Sequence, residues 1–458
     1  VNADLWQGAV GENGEVCVDE PDDEFGSDDF ESPEWHSSVS EEERDHGITE
    51  ETFWKSRPVL EHVHTFARAR IVAPWALLGC VLARVLVTVS PQVQLPPLTG
   101  GRASLNLFVA LSGPSGSGKD AANAAAGDAL DYGEDRDDKP LGTGEGLSAL
   151  FVRWDAKAKE MCQYETSALV FIGEVDTLGA ISGRQGSTIL PMLRQGAMGQ
   201  TLGFSNANNE TTRIVGAHKY RLCLVAGMQP TRSGVLLNDR AGGTPQRFIY
   251  MPTVDPETPE SEPDEPPAWR WTKPEFKSFT GPFSPITVPL PAYVKESIKA
   301  GRRMGARGEA PPVDSHSMLT REKVAAGLAI LDGRTEVTDD DWALSGVIMT
   351  VSDRTRAMCA QALRAESQKE NVGKALQEAE RTVIVTEHVD EVAVKKLSSR
   401  IRGKLASGPM VHGHLRGSLR STERDHWEPA ITALIRAGEV LQEKDEYHGR
   451  ERIRYRLV

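Results

Sequence analysis

The stretch SLNLFVALSGPSGSGKD, Ser104–Asp120, decides the fold. Leu107 to Leu111 form an unbroken apolar run, the mark of a strand buried on both faces. A glycine-rich turn follows, and then KDAANAAAGDAL, an alanine-rich segment that reads as a helix. Strand, glycine-rich turn and helix in that order open a parallel α/β sheet. The turn carries G-x-x-x-x-G-K as Gly113, Pro114, Ser115, Gly116, Ser117, Gly118 and Lys119. In this context the spacing lets backbone N–H groups turn inward and cradle phosphate oxygens, with Ala121 in the helix turn whose dipole favours anions. Lys119 is expected to reach the β- and γ-phosphates of ATP. The next position usually carries the Ser or Thr that binds Mg²⁺, and here it is Asp120. A carboxylate binds Mg²⁺ but repels a triphosphate when the metal is absent, so nucleotide affinity is expected to depend strongly on Mg²⁺.

Three further strands are expected, from SALVFIGEVD (167–176), YRLCLVAGMQP (220–230) and RFIYMP (247–252). The first ends in acids. An ATPase needs a carboxylate at such a tip for Mg²⁺ and a glutamate to orient the attacking water. The usual Asp-Glu order is here Gly173-Glu174, so Glu174 is assigned to water activation or metal and Asp176 becomes the substitute metal ligand. A strand that merely ends in surface acids is the competing reading. Between the helix STILPMLRQGAMG and the third strand, the Asn-rich QTLGFSNANNETTRIVGAHKYRL reads as a hairpin.

Outward from this core, composition is that of a soluble globular chain: 458 residues, 39% hydrophobic, 26% charged. The net charge of −14 is uneven. Residues 1–50 read as an acidic disordered tail in which Arg44 is the single Lys or Arg, so the total describes that tail rather than a working surface. Five scattered cysteines exclude a disulfide framework and a zinc site, and a cytoplasmic location is expected. Ile71–Val89 is apolar enough to suggest a membrane span. Arg84 and Pro74 within it argue for a buried helix instead, in a helical segment over 51–100, and no membrane partner is expected.

The P-loop core is assigned to 101–254, a Pro- and Glu-rich linker to 255–285, and a helical lid with its connecting helix to 286–385. Residues 390–458 have the three-helix-plus-hairpin order of a winged helix. There Arg416, Arg420, Arg424 and Arg452, with Arg450 and Arg454, would contact DNA phosphates. Winged helices also serve as protein-interaction modules.

FWKSRPVLEHVHTFARAR, SLNLFVALSGPSGSGK, GEVDTLGA, YRLCLVAGMQP, GGTPQRF and TREKVAAGLAILDGR…VTDDDW together carry a resemblance. The chain is similar to AAA+ P-loop helicase-like ATPases of phages and integrative mobile elements, encoded with or fused to primase–polymerase modules. Its lid also resembles that of minichromosome-maintenance helicases. The resemblance implies an α/β AAA+ core with a carboxy-terminal winged helix, ATP and Mg²⁺ as cofactors, and a role as a hexameric, ring-forming DNA helicase, with a primase–polymerase as a candidate partner. It implies that Gln229 senses the γ-phosphate and that Arg247 reaches a neighbouring subunit's ATP, with Arg240 as runner-up. Arg321 would be a second phosphate sensor, and Arg213, His218 and Lys219 on the hairpin would grip the DNA backbone. Two rivals stand beside this expectation: a non-hydrolysing DNA-binding scaffold, for which Asp120 and Gly173 mark a lost enzyme, and an AAA+ remodeller or loader of proteins.

Overall fold

The computed structural model describes residues 47–133, 137–182, 188–205, 208–277, 284–308, 315–447 and 450–458; the acidic tail lies outside them except for its last residues. The chain divides into two compact units, Val1–Leu363 and Arg364–Val458.

The first unit opens with helices α1 (Glu50–Lys55), α2 (Pro58–Ala69) and α3 (Pro74–Thr88). Thr49 caps α1, accepting from the Thr52 N–H at 3.2 Å. Proline at the first position of α2 and of α3 sets each start, because a helix's first N–H lacks an intrahelical partner anyway. The membrane-like stretch is α3. It is apolar all round and buried along its length except at Arg84, whose guanidinium donates to Asn123 O at 3.1 Å and pairs with Asp138 at 3.2 Å. Among the described residues no helix is long and apolar enough to cross a membrane.

Strands β1 (Val93–Leu95) and β2 (Ala103–Ser104) precede β3 (Phe108–Ser112), which runs into α4 (Lys119–Ala129) and the short β4 (Leu130–Asp131). Next come α5 (Gly144–Ala149), the hairpin β5 (Val152–Asp155) and β6 (Glu160–Gln163), then β7 (Ser167–Ile172), α6 (Asp176–Ser182) and α7 (Ile189–Met198). A second hairpin, β8 (Leu202–Phe204) with β9 (Arg213–Val215), leads to β10 (Arg221–Met228), α8 (Gly234–Leu237) and β11 (Phe248–Pro252).

The central sheet has the order β11-β3-β10-β7 and is parallel throughout. Lys139 bridges to Val170 in parallel beyond β7. Alternation along each strand sends side chains to opposite faces. Val109, Leu111, Val225, Ile249 and Met251 join a core with α2, α3 and α4, while Phe108, Ala110, Leu222, Leu224 and Tyr250 join another with α5 and α7. The sheet is therefore covered on both sides, as its near-continuous apolar strands require.

Strand β12 (Trp269–Arg270) pairs with β4, and β13 (Ile286–Thr287) with β1. The Pro- and Glu-rich stretch read as a domain linker does not separate two bodies. It runs along the first unit, pinned by Arg68–Asp255 at 3.3 Å and Arg70–Glu265 at 2.5 Å, and the buried Trp271 beyond it donates to Ile330 O at 3.2 Å. Helices α9 (Ala292–Arg307) and α10 (Ser315–Leu331) and the start of α11 (Asp339–Leu405) follow. The region expected as a lid shares the core of α3: Val324, Leu328, Trp342 and Ile348 all belong to it.

Helix α11 is 67 residues long and passes from the first unit into the second. In the second unit its last turns are followed by β14 (Met410–Val411), α12 (His412–Gly417), a 3₁₀ segment Ser421–His426, α13 (Trp427–Arg436), β15 (Val440–Tyr447) and β16 (Arg450–Leu457). The strands form an antiparallel sheet in the order β14-β16-β15. Leu397, Ile401, Leu415, Trp427, Ile431 and Leu434 make its core. The hairpin was expected; β14 was too short to be legible.

Candidate active site

All four strands of the central sheet run the same way, so their carboxyl ends lie along one edge, where open α/β sheets bind ligands. Ser112 ends β3, and residues 113–118 turn into α4. Gly116 and Gly118 sit at φ +76° and +80°, the left-handed region that costs a side-chain-bearing residue strain. The turn is tied down from three directions. Gly113 donates its N–H to Met228 O at 3.1 Å, Ser117 N–H reaches Pro114 O at 3.3 Å, and the hydroxyls of Ser117 and Thr253 meet at 2.5 Å. Thr253 in turn donates to Ser112 O at 3.2 Å. Pro114, Ser115 and Gly116 are exposed.

Lys119 is 8% exposed and its ammonium donates to Gly113 O at 3.1 Å and Pro114 O at 2.8 Å. Burial lowers its pKa, and the negative charges of Glu174 and Asp120 oppose that shift. Asp120 and Glu174 are themselves exposed, and Ala121 follows on the outer side of the first turn. Gly227, inside β10, must be glycine: a Cβ there would lie 2.1 Å from Gly173 O and 3.3 Å from the Lys119 stem. Val175 N–H donates to Gly227 O at 2.8 Å, which locks the tip of β7 against β10. Gln229, the first residue past β10, follows the carbonyl that holds the glycine-rich turn.

Asp176 is placed differently from expectation. It opens α6 and is engaged by Arg232 at 2.6 Å, a partner that compensates its charge and competes with a metal. Arg321 is a second correction. It is 1% exposed, stacks over Trp342 at 4.0 Å and donates to Ser345 Oγ at 3.4 Å and Trp342 O at 3.3 Å, inside the helical core rather than at the glycine-rich turn.

Arg247 precedes β11, at the sheet edge opposite the turn. It donates to Gly242 O at 2.8 Å and Gly243 O at 2.5 Å, and contacts His316 Nε2 at 3.1 Å. With Arg194, Met198 and His316 it lines a hollow of about 270 Å³. Arg240 is exposed.

At that same opposite edge, Arg213 pairs with Phe204 in the expected hairpin, His218 takes φ +58°, and Lys219 is exposed. His218 and Lys219, with Arg102, Lys273 and Lys277, border a groove of about 1210 Å³. Three of those five residues come from outside the hairpin, and no local pattern marked them.

In the second unit, Arg416 and Arg420 are exposed. Arg424 donates to the Gly417 and Leu419 carbonyls at 3.1 and 3.2 Å. Arg452 and Arg454 share Asp445 at 2.8 and 3.0 Å, and Arg456 holds Glu443 at 2.6 Å. The exposed face of α13 carries Glu428, Thr432 and Arg436, so it is not a basic surface.

The turn thus offers the amides of a helix start, a buried ammonium and the Asp120 carboxylate, with Glu174 just past the tip of β7 along the same sheet edge. That set can hold a polyanion and a divalent cation side by side. Among the described residues no cluster of three or more His, Cys, Asp or Glu forms a metal cage; Mg²⁺ shared between one or two carboxylates, phosphates and water needs none. No protein-family model matches the chain, and no curated protein matches it.

Proposed function

We propose that the chain is an Mg²⁺- and ATP-dependent, ring-forming motor that moves on DNA, built as a P-loop AAA+ ATPase with a carboxy-terminal winged helix. One observation carries the reading: Lys119 lies buried under a left-handed glycine turn between a central parallel strand and a helix, with Glu174 and Gln229 at the tips of the neighbouring strands. The helix start would bind the triphosphate, Lys119 its β- and γ-oxygens, and Glu174 would orient the attacking water. Asp120 would hold Mg²⁺, and the ion would supply positive charge to offset what develops on the phosphates.

The location of Arg247 supports assembly. A parallel strand rises about 3.3 Å per residue, so the five residues of β11 put Arg247 more than ~13 Å from its own glycine-rich turn. An arginine so placed serves a neighbouring subunit's site, with the remaining subunits closing a ring. The cationic groove beside the hairpin supports a DNA backbone as the track. The element order of the second unit supports the winged helix.

The test is ATP turnover by the purified chain with and without single-stranded or forked DNA. Lys119→Ala should remove DNA-stimulated turnover and weaken nucleotide binding about 10- to 100-fold, the worth of a charge-assisted contact. Absence of turnover in the wild type, with no change on that substitution, overturns the reading.

A second reading concerns the winged helix alone. Arg452 and Arg454 of the wing are paired with Asp445 and the third helix presents Glu428, which favours a protein partner there over a DNA major groove. Arg416→Glu with Arg420→Glu should leave DNA affinity and its salt dependence unchanged if that reading holds.

A further inference from the structure

We infer that the two departures from the usual ATPase pattern, Asp120 and Gly173, are one compensated exchange: the metal-holding carboxylate has moved from the tip of β7 to the start of α4. This rests on the proposed ATP site and names its metal ligand. In P-loop ATPases a hydroxyl at the helix start and an aspartate at the strand tip share the metal. Here the helix start has the aspartate and the strand tip has none.

Geometry ties the two positions together. A Cβ built on Gly173 would lie 3.6 Å from Asp120 Oδ1 and 3.9 Å from Phe171 Cε1. The Asp120 carboxylate therefore borders the space that a side chain at 173 would enter. Nothing else demands glycine there. Gly173 is not among the left-handed glycines, and both distances are ordinary van der Waals contacts. At Gly227, by contrast, backbone crowding does demand it. What an aspartate at 173 would meet is a second carboxylate, and two such groups at contact distance repel strongly unless a cation lies between them. Asp176 is less suited to supply the missing ligand, because Arg232 already pairs with it at 2.6 Å and competes with a cation there. Glu174 is left to orient water.

The exchange has a chemical consequence. A hydroxyl ligand is neutral, whereas Asp120 is an anion facing the phosphates, so the metal must enter with the nucleotide or before it.

The test uses the full chain as wild type, Asp120→Thr, Gly173→Asp and the double variant. Two readouts are taken: calorimetric titration with a non-hydrolysable ATP analogue, with Mg²⁺ or with EDTA, and the melting temperature of the nucleotide-free protein. Wild-type affinity should fall at least about tenfold on removal of Mg²⁺, and Asp120→Thr should lose about tenfold of the Mg²⁺-supported affinity, a single charge-assisted ligand each time. Gly173→Asp should lower the nucleotide-free melting temperature. The double variant should recover both that temperature and, to within about threefold, the Mg²⁺-supported affinity, so the cycle is strongly non-additive. Additive effects in both readouts, or Asp120→Thr binding Mg²⁺-nucleotide like the wild type, overturn the exchange. Failure of the wild type to bind nucleotide under any metal condition overturns the ATP site itself; coupling in the melting temperature, read without nucleotide, reports on the exchange separately.

Discussion

At the scale of single residues, Asp341 shows how a buried charge is kept. Its side chain is fully buried, yet Arg57 reaches it at 2.7 Å and Arg334 at 2.6 Å, and the Thr338 N–H donates at 2.8 Å. Burial pushes the carboxyl up, but the contacts from Arg334, Thr338 and Arg57 together outweigh it and hold the pKa below 3.8. A group depressed in the folded state stabilises above its unfolded pKa, and that stability is lost as pH falls through the folded value. Unfolding free energy should therefore decline below about pH 4, with this group as one contributor. Asp341→Asn leaves two arginines facing a neutral amide and should cost about 3 kcal/mol at pH 7 while flattening that acid slope. Denaturant titrations at pH 7 and pH 3 check both. An equal loss at the two pH values removes Asp341 from the acid response.

The glycine-rich turn makes a different point at the same scale. Thr253 meets Ser117 across 136 positions of sequence. No spacing rule marks it, because only the pairing of β11 with β3 brings it there.

At the scale of elements, α3 is the buried helix that Arg84 and Pro74 pointed to. This apolar run is a central helix because both the sheet and three other helices need a partner for their apolar faces. Its exit is held by Arg221, fully buried at the start of β10. That guanidinium donates to Val89 O at 3.2 Å, Ser90 O at 2.9 Å, Val93 O at 2.7 Å and Ser104 Oγ at 2.9 Å. Burial pulls its pKa down to about 10, which leaves it charged at neutral pH. Arg221→Met keeps the apolar stem but strips three carbonyls of their donor, so it should lower stability by about 3 kcal/mol. Hydrogen exchange over 89–95 should accelerate more than over β3. Uniform acceleration across the first unit would show that Arg221 does not act through this connector.

For the whole molecule, the opposite placement of Lys119 and Arg247 on one sheet leads to a mixing experiment. Each alone should abolish turnover when changed to alanine, but Arg247→Ala should leave nucleotide affinity within about twofold, since it touches no phosphate of its own chain. Equimolar Lys119→Ala and Arg247→Ala subunits should regain activity, because some interfaces then join an intact site to an intact arginine. Turnover in the mixture no higher than in either variant alone would place Arg247 outside the reaction.

What could be known from the chain alone was local. The order of strand, glycine turn and helix, the buried parallel strands, the hairpin before β10 and the helical end with its final hairpin all follow from periodicity and turn chemistry, which act over a few residues. The candidate residues at strand tips were legible for the same reason. Folding alone decided the rest. It drew the supposed lid into the core of α3, laid the Pro-rich stretch along the first unit, buried Arg321 on Trp342 and set Arg232 against Asp176. Those outcomes depend on which distant groups compete for the same space and charge, a matter of packing in three dimensions that no spacing along the chain encodes.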